Sequence, residues 1–136
     1  MAGKRHQFII GLLIGRMREY GCHVMFVDGK PFTDWNPSIR VPPTILRHRP
    51  DILGITDIGQ ICIGEAKTAG DISSSRTWEE IEDYLTLELN GQSCAVFIGI
   101  EASGIDKFRR IAKQKGYLSS PNLHILCVHE EIINGK

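Results

Sequence analysis

The spacing of apolar positions changes along this chain, and each change marks an element. Between Lys4 and Tyr20, Phe8, Ile9, Leu12, Leu13 and Met17 recur at helical spacing, while Ile10 and Ile14 widen the stripe almost around the cylinder. This predicts a helix over 4–20 ended by Gly21, either buried on several sides or sharing a face with a second copy. Cys22 to Val27 reads as a strand, closed by the turn signal Asp28-Gly29-Lys30-Pro31. Residues 31–49 hold four prolines and little periodicity, so they read as a long loop of the kind that carries function. Strands over 51–56 and 60–67 follow, paired as a hairpin around Gly59. Trp78, Ile81, Leu85 and Leu89 predict a second helix over 77–89, with Ser73-Ser74-Ser75 as its caps and Asn90-Gly91 as its end. The unbroken apolar run 93–100 reads as a strand covered on both faces. A third helix over 105–115 turns Phe108, Ile111 and Ala112 inward, and 123–129 is the last strand.

The order is helix, three strands, helix, strand, helix, strand (αβββαβαβ). The early strands form an antiparallel meander and the later helices act as crossovers. The expected fold is α/β: one domain over 1–136, a three-layer α/β/α sandwich with a mixed central sheet. The length of 136 residues suits one compact domain, and 42% hydrophobic with 24% charged residues excludes a disordered chain. Sixteen basic and sixteen acidic residues cancel, which argues against an indiscriminate polycation. No apolar run is long enough to span a bilayer. Lys4-Arg5-His6 followed by Phe8 to Ile14 resembles a signal peptide, but Arg16 and Arg18 interrupt it and no small-x-small cleavage site follows. Cys22, Cys62, Cys94 and Cys127 stand far apart and read as buried thiols, in keeping with a reducing, cytoplasmic location without a membrane partner. The five histidines show no zinc spacing.

Chemistry concentrates on the central hairpin. Glu65 and Lys67 are two apart on one strand and share a face, and the hairpin brings Asp51 opposite one of them. Two carboxylates and an ammonium among Ile52, Leu53, Ile55, Ile61 and Ile63 are costly to bury without a compensating cation. The oxygens of Asp51 and Glu65 suit Mg²⁺, which lowers the pKa of a bound water and neutralises charge on a phosphate oxygen. Lys67 would orient that water or stabilise the charged transition state. The reaction that needs this set is phosphodiester hydrolysis. An acid-x-Lys triplet alone is weak: Asp28-Gly29-Lys30 is a second match and reads as a turn.

Arg49-Pro50-Asp51, a hairpin, and Gly64-Glu65-Ala66-Lys67 together resemble the PD-(D/E)xK nuclease superfamily, which includes restriction endonucleases and archaeal Holliday junction resolvases. The match in element order covers most of the chain from Lys4 to about Ile100. The resemblance implies a restriction endonuclease-like core, catalysis by Asp51, Glu65 and Lys67, and a divalent metal held by Asp51, Glu65 and the backbone carbonyl of Ala66. It also implies Mg²⁺ as cofactor, with Mn²⁺ able to substitute. Two departures matter. Many members carry an acid in the first helix; here that helix offers only Glu19, and the upstream positions hold His6, Gln7 and Ile10, which favours one metal over two. Several branches carry a glutamine on the helix after the motif, where this chain has Glu79 and Glu80.

Glu19, Asp71 and Glu80 are therefore auxiliary positions, although Asp71 reads more readily as a helix cap and Glu19 as a solvated helix end. Charge is segregated despite its zero sum. Glu79, Glu80, Glu82, Asp83 and Glu88 face one Arg76 over 76–90, while Lys107, Arg109, Arg110, Lys113 and Lys115 face Glu101 and Asp106 over 101–116. The basic helix reads either as a solvated face or as a phosphate contact. Arg40, Arg47, His48 and Arg49 are the better nucleic-acid-binding candidates, because Arg47 to Arg49 leads directly into Asp51. Phe32 and Trp35 would stack on a base or pack the loop down. The expected function is a metal-dependent endonuclease acting on DNA, with RNA left open. So short a core favours recognition of DNA structure, or a targeting partner protein, and cutting two strands suits a homodimer. The alternative is a catalytically inactive nuclease-fold module for nucleic-acid binding or assembly.

Overall fold

A computed structural model describes residues 3–29, 39–89 and 91–129. Its elements are α1 (Lys4–Tyr20), β1 (Cys22–Val27), β2 (Ile52–Thr56), β3 (Ile61–Lys67), a 3₁₀ turn (Ala69–Asp71), α2 (Ser75–Thr86), β4 (Glu88–Leu89), β5 (Gln92–Ser93), β6 (Ala95–Glu101), α3 (Ala102–Gln114) and β7 (Leu123–Val128). The main sheet has five strands in the order β1-β2-β3-β6-β7. β1, β2 and β3 pair antiparallel, while β3-β6 and β6-β7 pair parallel. This is the mixed sheet expected of a meander followed by two helical crossovers.

Alternation along the strands builds two cores. Ile52, Cys62, Ala66, Ala95 and Phe97 pack with Ile9, Ile10, Leu13 and Met17 of α1 on one face. Leu53, Ile63, Val96, Ile98 and Ile100 pack with Trp78, Ile81, Tyr84 and Phe108 of α2 and α3 on the other. β6 is buried at every position, as a strand covered on both faces must be. The three-layer α/β/α sandwich follows. Burial within the chain accounts for the wide stripe of α1: Ile9, Ile10, Leu13 and Met17 are fully enclosed, whereas Leu12 faces solvent. Gly21 ends α1 in the left-handed region (φ 108°), where its N–H reaches the carbonyls of Arg18 and Met17. The helix lies so close to the sheet that a Cβ on Gly99 would sit 2.5 Å from Ile9 Cγ2.

Some boundaries differ from the sequence reading. α2 stops at Thr86, because Leu87 turns extended (ψ 127°), and Glu88–Leu89 pairs with Gln92–Ser93 as a small ribbon. Leu89, assigned to the helical stripe, is instead 38% exposed. Ser74 occupies the N-cap of α2 without a side-chain hydrogen bond. α3 starts at Ala102, three residues early, directly off the end of β6. Cys22, Cys62 and Cys94 are buried free thiols and Cys127 is half-buried. Among the described residues no helix is long and apolar enough to cross a membrane. Phe32 and Trp35 lie outside the described residues.

Candidate active site

Hairpin register sets the geometry. Ile52 pairs with Gly64, so Asp51, one residue before β2, falls beside Glu65 at the end of β3. The Asp51 carboxylate is pinned across the strands: Ala66 N–H donates to its Oδ2 at 2.9 Å. Glu65 and Lys67 point to the α2 face, with Lys67 Nζ 3.8 Å from Glu65 Oε2. From α2, Glu80 Oε1 stands 3.6 Å from the same ammonium, and the Tyr84 hydroxyl donates to Glu65 Oε1 at 3.5 Å. All four charged groups are largely withdrawn from water, with Glu65 only 3% exposed.

The electrostatics follow from that crowding. Burial, and then the neighbouring Asp51, push the Glu65 carboxyl well above the usual carboxylate range, against the pull of Lys67. Burial alone would lower Lys67, but Glu65, Glu80, Asp51 and Asp71 outweigh it and raise its pKa. Lys67 is therefore an ammonium that donates, not a free amine that accepts a proton. Burial also raises the Tyr84 phenol, which stays protonated and can only donate to Glu65.

A cavity of about 850 Å³ opens over this sheet end, lined by His6, Gln7, Asp28, Asp51, Ala66 and Lys67, among others. Among the described residues no three or more His, Cys, Asp or Glu side chains converge as a ready-made metal cage. Two carboxylates fit Mg²⁺ nonetheless, since it keeps several waters and needs only one or two protein carboxylates. A fully buried Glu65 beside Asp51, short of positive charge, is the donor set such an ion would relieve.

His6 was visible in the sequence only as the residue standing where an acid was expected. Its Nε2 lies 3.2 Å from Asp51 Oδ2, and that hydrogen bond raises its pKa against the effect of burial. Glu101 carried no local signal at all. Buried at the end of β6, it accepts from Ala69 N–H at 2.7 Å and pairs with Arg5, tying the first turn of α1 to the turn after β3. Asp28, read as a turn residue, also lines the cavity, and its N–H donates to the Asp51 carbonyl at 2.7 Å.

The auxiliary acids separate. Glu80 joins the cluster. Asp71 lines the cavity but caps its own turn, its Oδ2 accepting from Thr68 N–H at 2.9 Å and Thr68 Oγ1 at 3.0 Å. Glu19 is outside the site: it is solvated beside Arg16, and thirteen residues of helix put it about 20 Å from His6. The residues of the basic loop have different surroundings. His48 is buried, its Nε2–H donating to Asp83 Oδ2 at 2.7 Å with its ring edge-on to Tyr84. Arg47 is held by Asp83 at 3.0 Å and Glu79 at 3.6 Å. Arg40 straps the outer edge of β1, its carbonyl accepting from Val27 N–H at 2.9 Å. Arg49 remains exposed, without an ion pair among the described residues.

No protein-family model matches this chain, and no curated protein matches it. Two solved structures are similar to it. A repair endonuclease from Pyrococcus abyssi has a TM-score of 0.49 and 11% identity, covering 95% of this chain and 48% of that one. EndoMS in a complex with double-stranded DNA has a TM-score of 0.46 and 16% identity, covering 95% and 46%. This chain therefore spans about half the length of either. Likeness of this degree assigns no activity.

Proposed function

We propose that the protein is a divalent-metal-dependent endonuclease that hydrolyses DNA phosphodiester bonds. The observation that carries the reading is the Ala66 N–H to Asp51 bond, which locks a carboxylate beside Glu65 and Lys67 at the mouth of an open cavity. Asp51, Glu65 and the Ala66 carbonyl would hold Mg²⁺ or Mn²⁺. When bound, such an ion acidifies water and neutralises charge on a phosphate oxygen. Lys67, kept as an ammonium by its four acidic neighbours, donates to the attacking water or to the oxygen on which charge develops. Glu80 limits the freedom of that ammonium from the α2 side, and Tyr84 orients Glu65. The cavity admits a phosphate backbone from the α1 side, past His6 and Gln7. Recognition of DNA structure or delivery by a partner protein, and action as a homodimer, complete the proposal.

A second reading has one observation in its favour. His6 stands in the first helix where many members of the resembling superfamily carry an acid, and it already engages Asp51. That arrangement suits an inert module of the same fold, which binds nucleic acid without cutting. The test is incubation of the purified protein with Mg²⁺ or Mn²⁺ and labelled duplex, single strand, flap and four-way junction DNA, beside Asp51→Asn and Lys67→Ala. Metal-dependent cuts lost in both variants support the endonuclease. Metal uptake without any cutting points to a missing partner, and neither uptake nor cutting favours the inert module.

A further inference from the structure

Four cations of this neutral chain share the outer face of α3, whereas in the 40–49 loop Arg47 and His48 are tied to Asp83. Gly104, Phe108 and Ala112 face the core, which turns Arg110 and Lys113 straight outward, with Arg109 and Lys107 on the flanks. All four are exposed, and none makes an ion pair among the described residues, although Asp106 lies one turn before Arg109 and Arg110. The acids of neighbouring α2 are occupied with other groups. Asp83 holds Arg47 and His48, Glu80 faces Lys67 and Arg76, Glu79 faces Arg47, and Glu82 accepts from Tyr117. Among the described residues no carboxylate therefore forms an ion pair with the α3 row.

The row also begins at the site. α3 leaves β6 at Glu101, which holds the 3₁₀ turn, and a Cβ on Gly104 would lie 3.1 Å from Ala69 Cα. Lys107 donates to Ser73, two residues beyond Asp71, which lines the cavity. A polyanion leaving the cavity over that turn meets Lys107 first and then Arg110 and Lys113.

We propose that the outer face of α3, through Lys107, Arg109, Arg110 and Lys113, binds the phosphate backbone of duplex DNA flanking the site of cutting. The inference rests on the nuclease reading for its ligand but on different residues. These cations supply affinity without sequence preference and take no part in bond cleavage.

The experiment measures binding of a labelled duplex of about 20 base pairs by fluorescence anisotropy in EDTA, so that nothing is cut, across a range of salt. The comparison is Arg109→Gln/Arg110→Gln/Lys113→Gln against wild type, with Arg47→Gln as control. Each lost phosphate contact removes about 0.9 from the slope of log affinity against log salt, so three remove about 2.7. Raising salt from about 50 to about 200 mM then weakens the wild type about 40-fold more than the triple variant. Mn²⁺ uptake by calorimetry, and cutting at saturating DNA, stay at wild-type levels in the triple variant. Arg47→Gln leaves the slope unchanged. An unchanged slope in the triple variant overturns the surface and leaves the nuclease reading intact. Failure of the wild type to bind duplex at all also overturns it, and leaves an acidic protein as the partner of this face. Slope loss in a protein that takes up no metal and cuts nothing supports the surface and removes the nuclease reading.

Discussion

Gly99→Ala tests how α1 is seated on the sheet, and through it the position of His6. The new Cβ would lie 2.5 Å from Ile9 Cγ2 and 3.1 Å from Leu13 Cδ1, against the 3.5–4.0 Å at which carbon atoms attract. α1 must therefore lift by about 1 Å, since both side chains are fully enclosed and have no free space to turn into. Overpacking of this kind costs about 1–3 kcal/mol. At about 4 °C per kcal/mol for a domain of this size, Tm falls by roughly 4–12 °C. Ile9→Ala removes the clashing methyl, so the double variant is less destabilised than the two single losses summed, by at least about 1 kcal/mol. Lifting the helix also weakens the His6–Asp51 hydrogen bond, the main cause of the raised His6 pKa, and brings the histidine back toward 6.5. Urea unfolding of the four proteins and an NMR titration of His6 measure both effects. Wild-type stability in Gly99→Ala, or strict additivity with Ile9→Ala, would refute the close seating of α1 on β6.

Three further outcomes follow from the cluster and its surroundings. The folded protein holds the Glu65 proton to higher pH than the unfolded chain does, so without metal, stability declines as pH rises from the unfolded value through the folded one. Glu65→Gln removes that decline: its apo form is more stable than wild type at pH 8 and takes up no Mn²⁺, as chemical denaturation and calorimetry will show. His6 has the opposite consequence. Its raised pKa contributes stability that is complete below the unfolded value near 6.5 and fades as pH passes the folded value, so His6→Gln destabilises more at pH 5.5 than at pH 8.5. Asp83→Ala leaves buried His48 Nε2 without its partner and costs about 1–3 kcal/mol in urea unfolding, whereas Arg47→Ala, at the exposed side of the same carboxylate, shifts the midpoint little.

Features that depend on neighbours along the chain are legible in the amino-acid order. α1 and β1 begin and end where the apolar period and Gly21 place them, and alternation with a short turn narrows the partner of Asp51 to Glu65 or Lys67, of which the observed pairing selects Glu65. The same local logic over-extended α2 through Leu89, where helical spacing continued but the buried face did not. Tertiary structure alone decided what faces the hairpin. His6, Glu80 and Tyr84 reach the site from two helices on opposite sides of the sheet; the helix after the motif marked Glu80 as a candidate, but nothing local indicates that His6 meets Asp51 or that Tyr84 meets Glu65. Tertiary structure also changed the reading of the charges. Arg47 and His48 looked available beside Asp51, yet packing of their loop against α2 gave them Asp83, while the outward face of α3 kept its cations unpaired. Periodicity is a property of one element and can be read from it. Which charges neutralise one another depends on which faces the fold brings together, and those contacts link residues more than thirty positions apart.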